Sequence, residues 1–139
     1  PSLILDRRTD LAGELGMHAV LIGVSDYVHL PSADDPPGPG LAALKKLRSS
    51  AVSALTLLHK LQSLDAEGRL FRPLKTIRLL QSPSPEELQK EPSLAGLGAP
   101  ATRSALFSAL QQWRKDASDL PGNQTLFYFC GHGIRRSLE

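Results

Sequence analysis

A cysteine, a histidine and two glycines fall on four consecutive positions, Cys130-Gly131-His132-Gly133. Of all side chains, imidazole has the unperturbed pKa closest to neutrality, so His132 is the group best suited to take up and return a proton. Gly131 and Gly133 let the backbone turn sharply and let a substrate approach the ring. The pattern fits a general base, and equally a surface histidine in a glycine turn. A second polar group, Ser25-Asp26-Tyr27, follows an apolar run and offers a carboxylate and a phenol. Asp26 reads either as a binding carboxylate or as the residue that turns the chain.

Both groups sit at the ends of segments that read as strands. His18 to Val24 (HAVLIGV) is a continuous apolar, β-branched run of the kind covered on both faces, which predicts a central strand. Leu74 to Leu80 (LKTIRLL) predicts a second buried strand, and Gln124 to Cys130 (QTLFYFC) a third. Between them, Ala51, Ala54 or Leu55, Leu58 and Leu61 recur at helical spacing after Ser49 or Ser50, either of which reads as an N-cap. Leu41, Leu44 and Leu47 extend that helix backward if its start lies earlier. Ser84-Pro85-Glu86-Glu87 has the order of a capping box with proline at the first helical position. Thr102 caps a third helical segment with the apolar stripe Leu106, Leu110, Trp113 and Ala117. The stretch from His29 to Gly40, rich in proline and glycine, reads as loop.

The resulting β-α-β-α-β order, with connections long enough for crossovers, predicts parallel strands covered by helices on both faces, an α/β three-layer α/β/α sandwich. Functional groups in such sheets gather beyond the carboxyl ends of the strands. That is where Ser25-Asp26-Tyr27 and Gly131-His132-Gly133 are expected.

Taken together, HAVLIGVSDY, SAVSALTLLHKL, ATRSALFSALQQW and TLFYFCGHG resemble the opening part of a bacterial caspase-like peptidase domain, of the caspase and metacaspase clan. The resemblance runs from about His18 to Gly133. It implies that His132 is the catalytic histidine of a Cys-His dyad and that Gly131 and Gly133 shape the turn and the oxyanion site. In that chemistry a thiolate attacks the peptide carbonyl and the histidine protonates the leaving amine. The implied activity needs no metal and no organic cofactor. Many relatives carry serine where this chain has Cys130, a departure that leaves the histidine untouched.

In caspases the nucleophilic cysteine lies on the next strand, roughly 50 residues beyond the histidine. Here only residues 133–139 follow His132. The resemblance therefore implies a companion chain or downstream segment that supplies the cysteine, released by an activating protease or carried in a longer chain. Arg135 and Arg136 mark a processing site or a solvated loop. Cys130 itself lies among Phe127, Tyr128 and Phe129, and reads as a small buried hydrophobe. Because Ser25 to Leu44 holds Asp26, Asp34 and Asp35 but no lysine or arginine, charge complementarity favours cleavage after Arg or Lys, with Asp26 and Tyr27 in the substrate pocket. A non-catalytic caspase-like interaction domain is the alternative. A nucleotide-binding module is disfavoured, since GVSDY offers a single glycine where a phosphate loop needs several.

Composition narrows the classes further. At 139 residues, 41% hydrophobic and 22% charged, the chain suits one domain with a modest core. Its net charge of +2 is spread along the chain without aromatic interleaving, which argues against nucleic acid as partner. No apolar run has the length of a membrane span. The lone cysteine excludes an internal disulfide and a multi-cysteine zinc site, and it predicts a reducing, cytoplasmic setting. Peptide or protein substrates are the expected partners, and bacterial relatives point to antiviral defence and regulated cell death.

Overall fold

A computed structural model describes residues 1–36 and 38–134. Eight regular elements follow one another: β1 (Leu3–Asp6), β2 (Met17–Val24), α1 (Ser50–Ala66), β3 (Leu74–Ser82), α2 (Pro85–Lys90), β4 (Ala99–Pro100), α3 (Arg103–Ala117) and β5 (Gln124–Cys130). Together the strands make one mixed sheet of five, in the order β1-β3-β2-β5, with β4 also pairing β3. The pairs β2–β3, β2–β5 and β3–β4 are parallel and β1–β3 is antiparallel, so the sheet is mostly parallel. No helix among the described residues is long and apolar enough to cross a membrane.

Strand β2 is central, as its unbroken apolar run predicts, and seven of its eight residues are buried. Its side chains alternate between two clusters. Met17, Ala19 and Leu21 pack with Ala51, Ala54, Leu55, Leu58 and Leu61 of α1, whereas Val20 and Ile22 pack with Ala109, Leu106, Leu110 and Trp113 of α3. Period-two alternation along a strand sends neighbouring residues to opposite faces, so α1 and α3 serve different faces. The indole N–H of Trp113 donates to the His18 carbonyl at 2.8 Å, tying α3 to the first part of β2.

Strand β3 is buried but not apolar, and the side chains of Lys75, Thr76, Arg78 and Gln81 each make a hydrogen bond. Lys75 Nζ donates to the Glu14 carbonyl (2.8 Å), and Thr76 Oγ1 meets His18 Nδ1 (2.8 Å). Gln81 Nε2 donates to the carbonyls of Leu94 and Leu97, holding the glycine-rich loop against the strand. Arg78 donates to Gln112 and Asp116, and Asp116 also receives Arg8 (2.8 Å). Desolvating these groups would be expensive without such bonds.

Two expectations change. Neither β1 nor β4 is marked by the sequence pattern, and β1 forms the antiparallel edge. Helix α1 does not reach back to Leu41: Gly40–Ala43 is a separate 3₁₀ turn and the chain between it and Ser49 is not helical. Ser49 is the N-cap residue, one of the two positions expected, but its side chain does not do the capping. Instead Ser25 Oγ, at the end of β2, accepts the N–H groups of Ser50 (2.9 Å) and Ala51 (3.3 Å). Glu87 Oε1 accepts the Val52 N–H at 3.0 Å. Orphan donors of a helix start are thus met by side chains distant in sequence. The expected capping box at Ser84 and Glu87 is present, as is the Thr102 cap of α3.

Candidate functional site

The chain leaves β2 at Ser25 and returns to it just before α1. The N–H groups of Ser25 and Asp26 both donate to the Ser82 carbonyl at 2.9 Å, which fixes the start of the excursion at the end of β3. Its return is fixed by Leu47 N–H to the Ser25 carbonyl (2.8 Å) and Lys46 N–H to the Pro31 carbonyl (3.0 Å). Lys45, immediately before them, presents its own carbonyl to the end of β5.

His132 meets that carbonyl through Nε2, at 2.5 Å. A carbonyl oxygen only accepts, so Nε2 carries the proton and the lone pair of the neutral ring lies on Nδ1. A second bond fixes the backbone: the His132 N–H donates to the Tyr27 hydroxyl at 2.6 Å. The Tyr27 and His132 rings lie 5.1 Å apart between centroids, tilted by 44°. Tyr27 therefore supports the histidine from its face and from its backbone.

Gly131 is needed for this contact. A Cβ there would stand 2.6 Å from the Tyr27 hydroxyl and 2.8 Å from the Phe129 ring, inside van der Waals distance. Gly133 differs, since a Cβ there would meet nothing within 4 Å. The His132 N–H is occupied by Tyr27, which leaves Gly133 as the glycine of the pair facing open space. Together the two expected groups, Asp26-Tyr27 and Gly131 to Gly133, come from the adjacent strands β2 and β5.

Asp26 is placed differently from its neighbour. Its carboxylate forms an ion pair with Lys46 Nζ at 2.6 Å, and it lines a cleft of about 520 Å³ between the end of β3 and the Gly96 to Gly98 loop. The pocket at His132, of about 280 Å³, adjoins that cleft at Val28 and is walled by Tyr27, Val28, Leu30, Leu44 and Ile134. Asp34 is likewise paired, with Arg48. Lysine and arginine from just beyond Leu44 thus answer Asp26 and Asp34, and sequence spacing hid this because the chain folds back on itself.

Cys130 shares the alternate face of β5 with Leu126 and Tyr128, which pack toward the α1 cluster. It is half-buried. Burial, and secondarily the neighbouring Cys130, push the Tyr128 hydroxyl above its ordinary pKa. The opposite face of β5 leaves Phe127 and Phe129 53% and 46% exposed at the edge of the sheet. Arg135 and Arg136, where processing is expected, lie outside the described residues.

The functional groups that sequence reading missed are Lys45, which acts through its backbone, and the pocket residues Leu30, Leu44 and Ile134. A carbonyl contributed by the main chain leaves no mark on residue type. No protein-family model, curated protein or solved structure matches the chain.

Proposed function

We propose that the chain is the histidine-bearing portion of a caspase-like cysteine endopeptidase, a three-layer α/β/α sandwich that hydrolyses peptide bonds with a Cys-His dyad. The observation that carries the proposal is the Nε2–H bond from His132 to the Lys45 carbonyl. A proton-transfer histidine needs one nitrogen anchored and the other presented to the reaction, and this bond supports Nε2 as the anchored nitrogen and Nδ1 as the presented one. With the ring doubly protonated, Nδ1–H stabilises a nearby thiolate and then protonates the leaving amine as the carbonyl is attacked. The Lys45 carbonyl stabilises the imidazolium without itself changing protonation. Gly133 supplies an amide beside the ring for the developing oxyanion.

The nucleophile belongs to a downstream segment or companion chain. Phe127 and Phe129, half-exposed on the outer strand β5, support a further strand pairing there. The single cysteine supports a reducing, cytoplasmic setting. A non-catalytic interaction domain with the same fold is the second reading, favoured by the turn of Cys130 toward Tyr128 rather than into the His132 pocket.

Peptide-library hydrolysis by the chain together with its nucleophile-bearing segment tests the proposal. Thiol alkylation is expected to abolish cleavage, and His132→Ala to slow it by about 10²–10⁴-fold. Hydrolysis that survives both treatments refutes the Cys-His dyad, and no hydrolysis of any peptide leaves the interaction domain.

A further inference from the structure

We infer that the pocket against His132 receives an apolar side chain of the substrate, from the residue flanking the scissile bond, and that it disfavours Arg and Lys. The inference rests on the peptidase reading of His132, and it replaces the expectation of basic specificity. A histidine that protonates the leaving amine must come within hydrogen-bond reach of the scissile bond. A pocket that includes the His132 ring in its own wall therefore holds a side chain adjacent to that bond, not a distant one.

Its chemistry is apolar. The wall consists of Val28, Leu30, Leu44 and Ile134 with the rings of Tyr27, His29 and His132, and no carboxylate is among the described residues that line it. The Tyr27 hydroxyl oxygen already accepts the His132 N–H, so its acceptor capacity toward an entering cation is reduced. Asp26, the carboxylate expected to attract a basic residue, faces the other cleft and is held by Lys46 at 2.6 Å. A guanidinium or ammonium entering the His132 pocket would lose water with no carboxylate in the described wall to balance its charge.

Exposure points the same way. Val28 is 83% exposed and Ile134 67%; both line this pocket, and Val28 also borders the Asp26 cleft. A volume of about 280 Å³ matches a single side chain rather than an extended ligand. An entering leucine, methionine or phenylalanine would cover both residues, which gives the apolar surface a use.

The test is a titration of the chain, with its histidine rings isotopically labelled, using N-acetyl-leucine methylamide and N-acetyl-arginine methylamide as probes. The leucine amide is expected to shift the His132 ring resonances at a concentration about tenfold lower than the arginine amide. Leu44→Asp is expected to reverse that order. Val28→Asp, at an exposed position where folding is not at risk, is expected to narrow it. Equal or tighter response to the arginine amide, or no response to either, overturns the inference. Cleavage-site mapping with the nucleophile-bearing segment separates this outcome from the peptidase reading. Leucine binding without any hydrolysis keeps the pocket and removes the peptidase; hydrolysis after Arg or Lys without leucine binding does the reverse.

Discussion

Glu87 is 1% exposed, yet it carries a carboxylate and serves two helix starts at once. Oε1 accepts the Val52 N–H of α1 at 3.0 Å, and Oε2 accepts the Ser84 N–H of α2 at 2.8 Å. In Glu87→Gln one oxygen becomes an amide NH₂, so one of those two donors faces another donor. Losing a hydrogen bond to a charged group in a buried setting costs about 1.5–3 kcal/mol. Removing the negative charge from the start of the helices adds about 0.3–1 kcal/mol. The sum is a destabilisation of about 2–4 kcal/mol. A Glu87 that merely closed its own capping box would cost about 0.5–2 kcal/mol on losing its cap. Urea unfolding followed by far-ultraviolet circular dichroism measures the difference, with the denaturant slope expected to stay unchanged. A loss below about 1.5 kcal/mol, under the range for a buried charge-assisted bond, refutes the bridging role. Ser25→Ala removes the other acceptor at the same helix end, so the double variant is expected to depart from additivity.

Three further outcomes are expected. A Cβ at position 23 would lie 2.3 Å from the Ser50 carbonyl oxygen and 2.8 Å from the Ala51 Cα, so Gly23→Ala should force α1 off the sheet and lower stability by about 1–3 kcal/mol or more, read by the same unfolding assay. Asp116→Ala strands the buried Arg78 guanidinium and should cost about 3–5 kcal/mol, whereas Asp6→Asn, on an exposed side chain, should cost less than about 1 kcal/mol. Hydrogen bonding to Arg8 lowers the Asp6 pKa from 3.8 to about 2, so its small contribution is present above pH 3.8 and fades as pH falls through about 2. Burial holds the His18 pKa below 6.5, so the unfolded chain binds the proton more readily. Stability should therefore fall as pH drops below 6.5, and His18→Gln should flatten that slope.

The chain displays its central architecture openly because β2 and α1 are built from unbroken local patterns. Apolar β-branched residues from His18 to Val24 and the helical recurrence of Ala51, Leu58 and Leu61 declare burial without reference to the rest of the molecule. The capping box at Ser84 is also local, a matter of four residues. By contrast, β1 is four residues long and β4 is two, too short for alternation to rise above chance. Ser25 follows the apolar run of β2 with no local sign of a helix cap, since its role at the start of α1 depends on a contact across 25 positions. The same distinction runs through the site. His132 and its glycines are visible as a motif, but the Lys45 carbonyl, the Lys46 partner of Asp26 and the apolar wall beside the ring all come from chain reversal in the excursion after β2. Residue type carries no record of that reversal.

The first turn of α1 has a consequence for how motion is distributed through the protein. Helix starts usually fray, and their amide protons exchange with solvent deuterium long before those of the core. Here the amides of Ser50, Ala51 and Val52 are engaged by Ser25 and Glu87. Their deuterium uptake should follow the slow, cooperative opening of β2 rather than the fast opening of a helix end. Because the same stretch of chain leads from Ser25 to Tyr27 and the His132 backbone, the histidine is hinged to one of the slowest-exchanging parts of the fold.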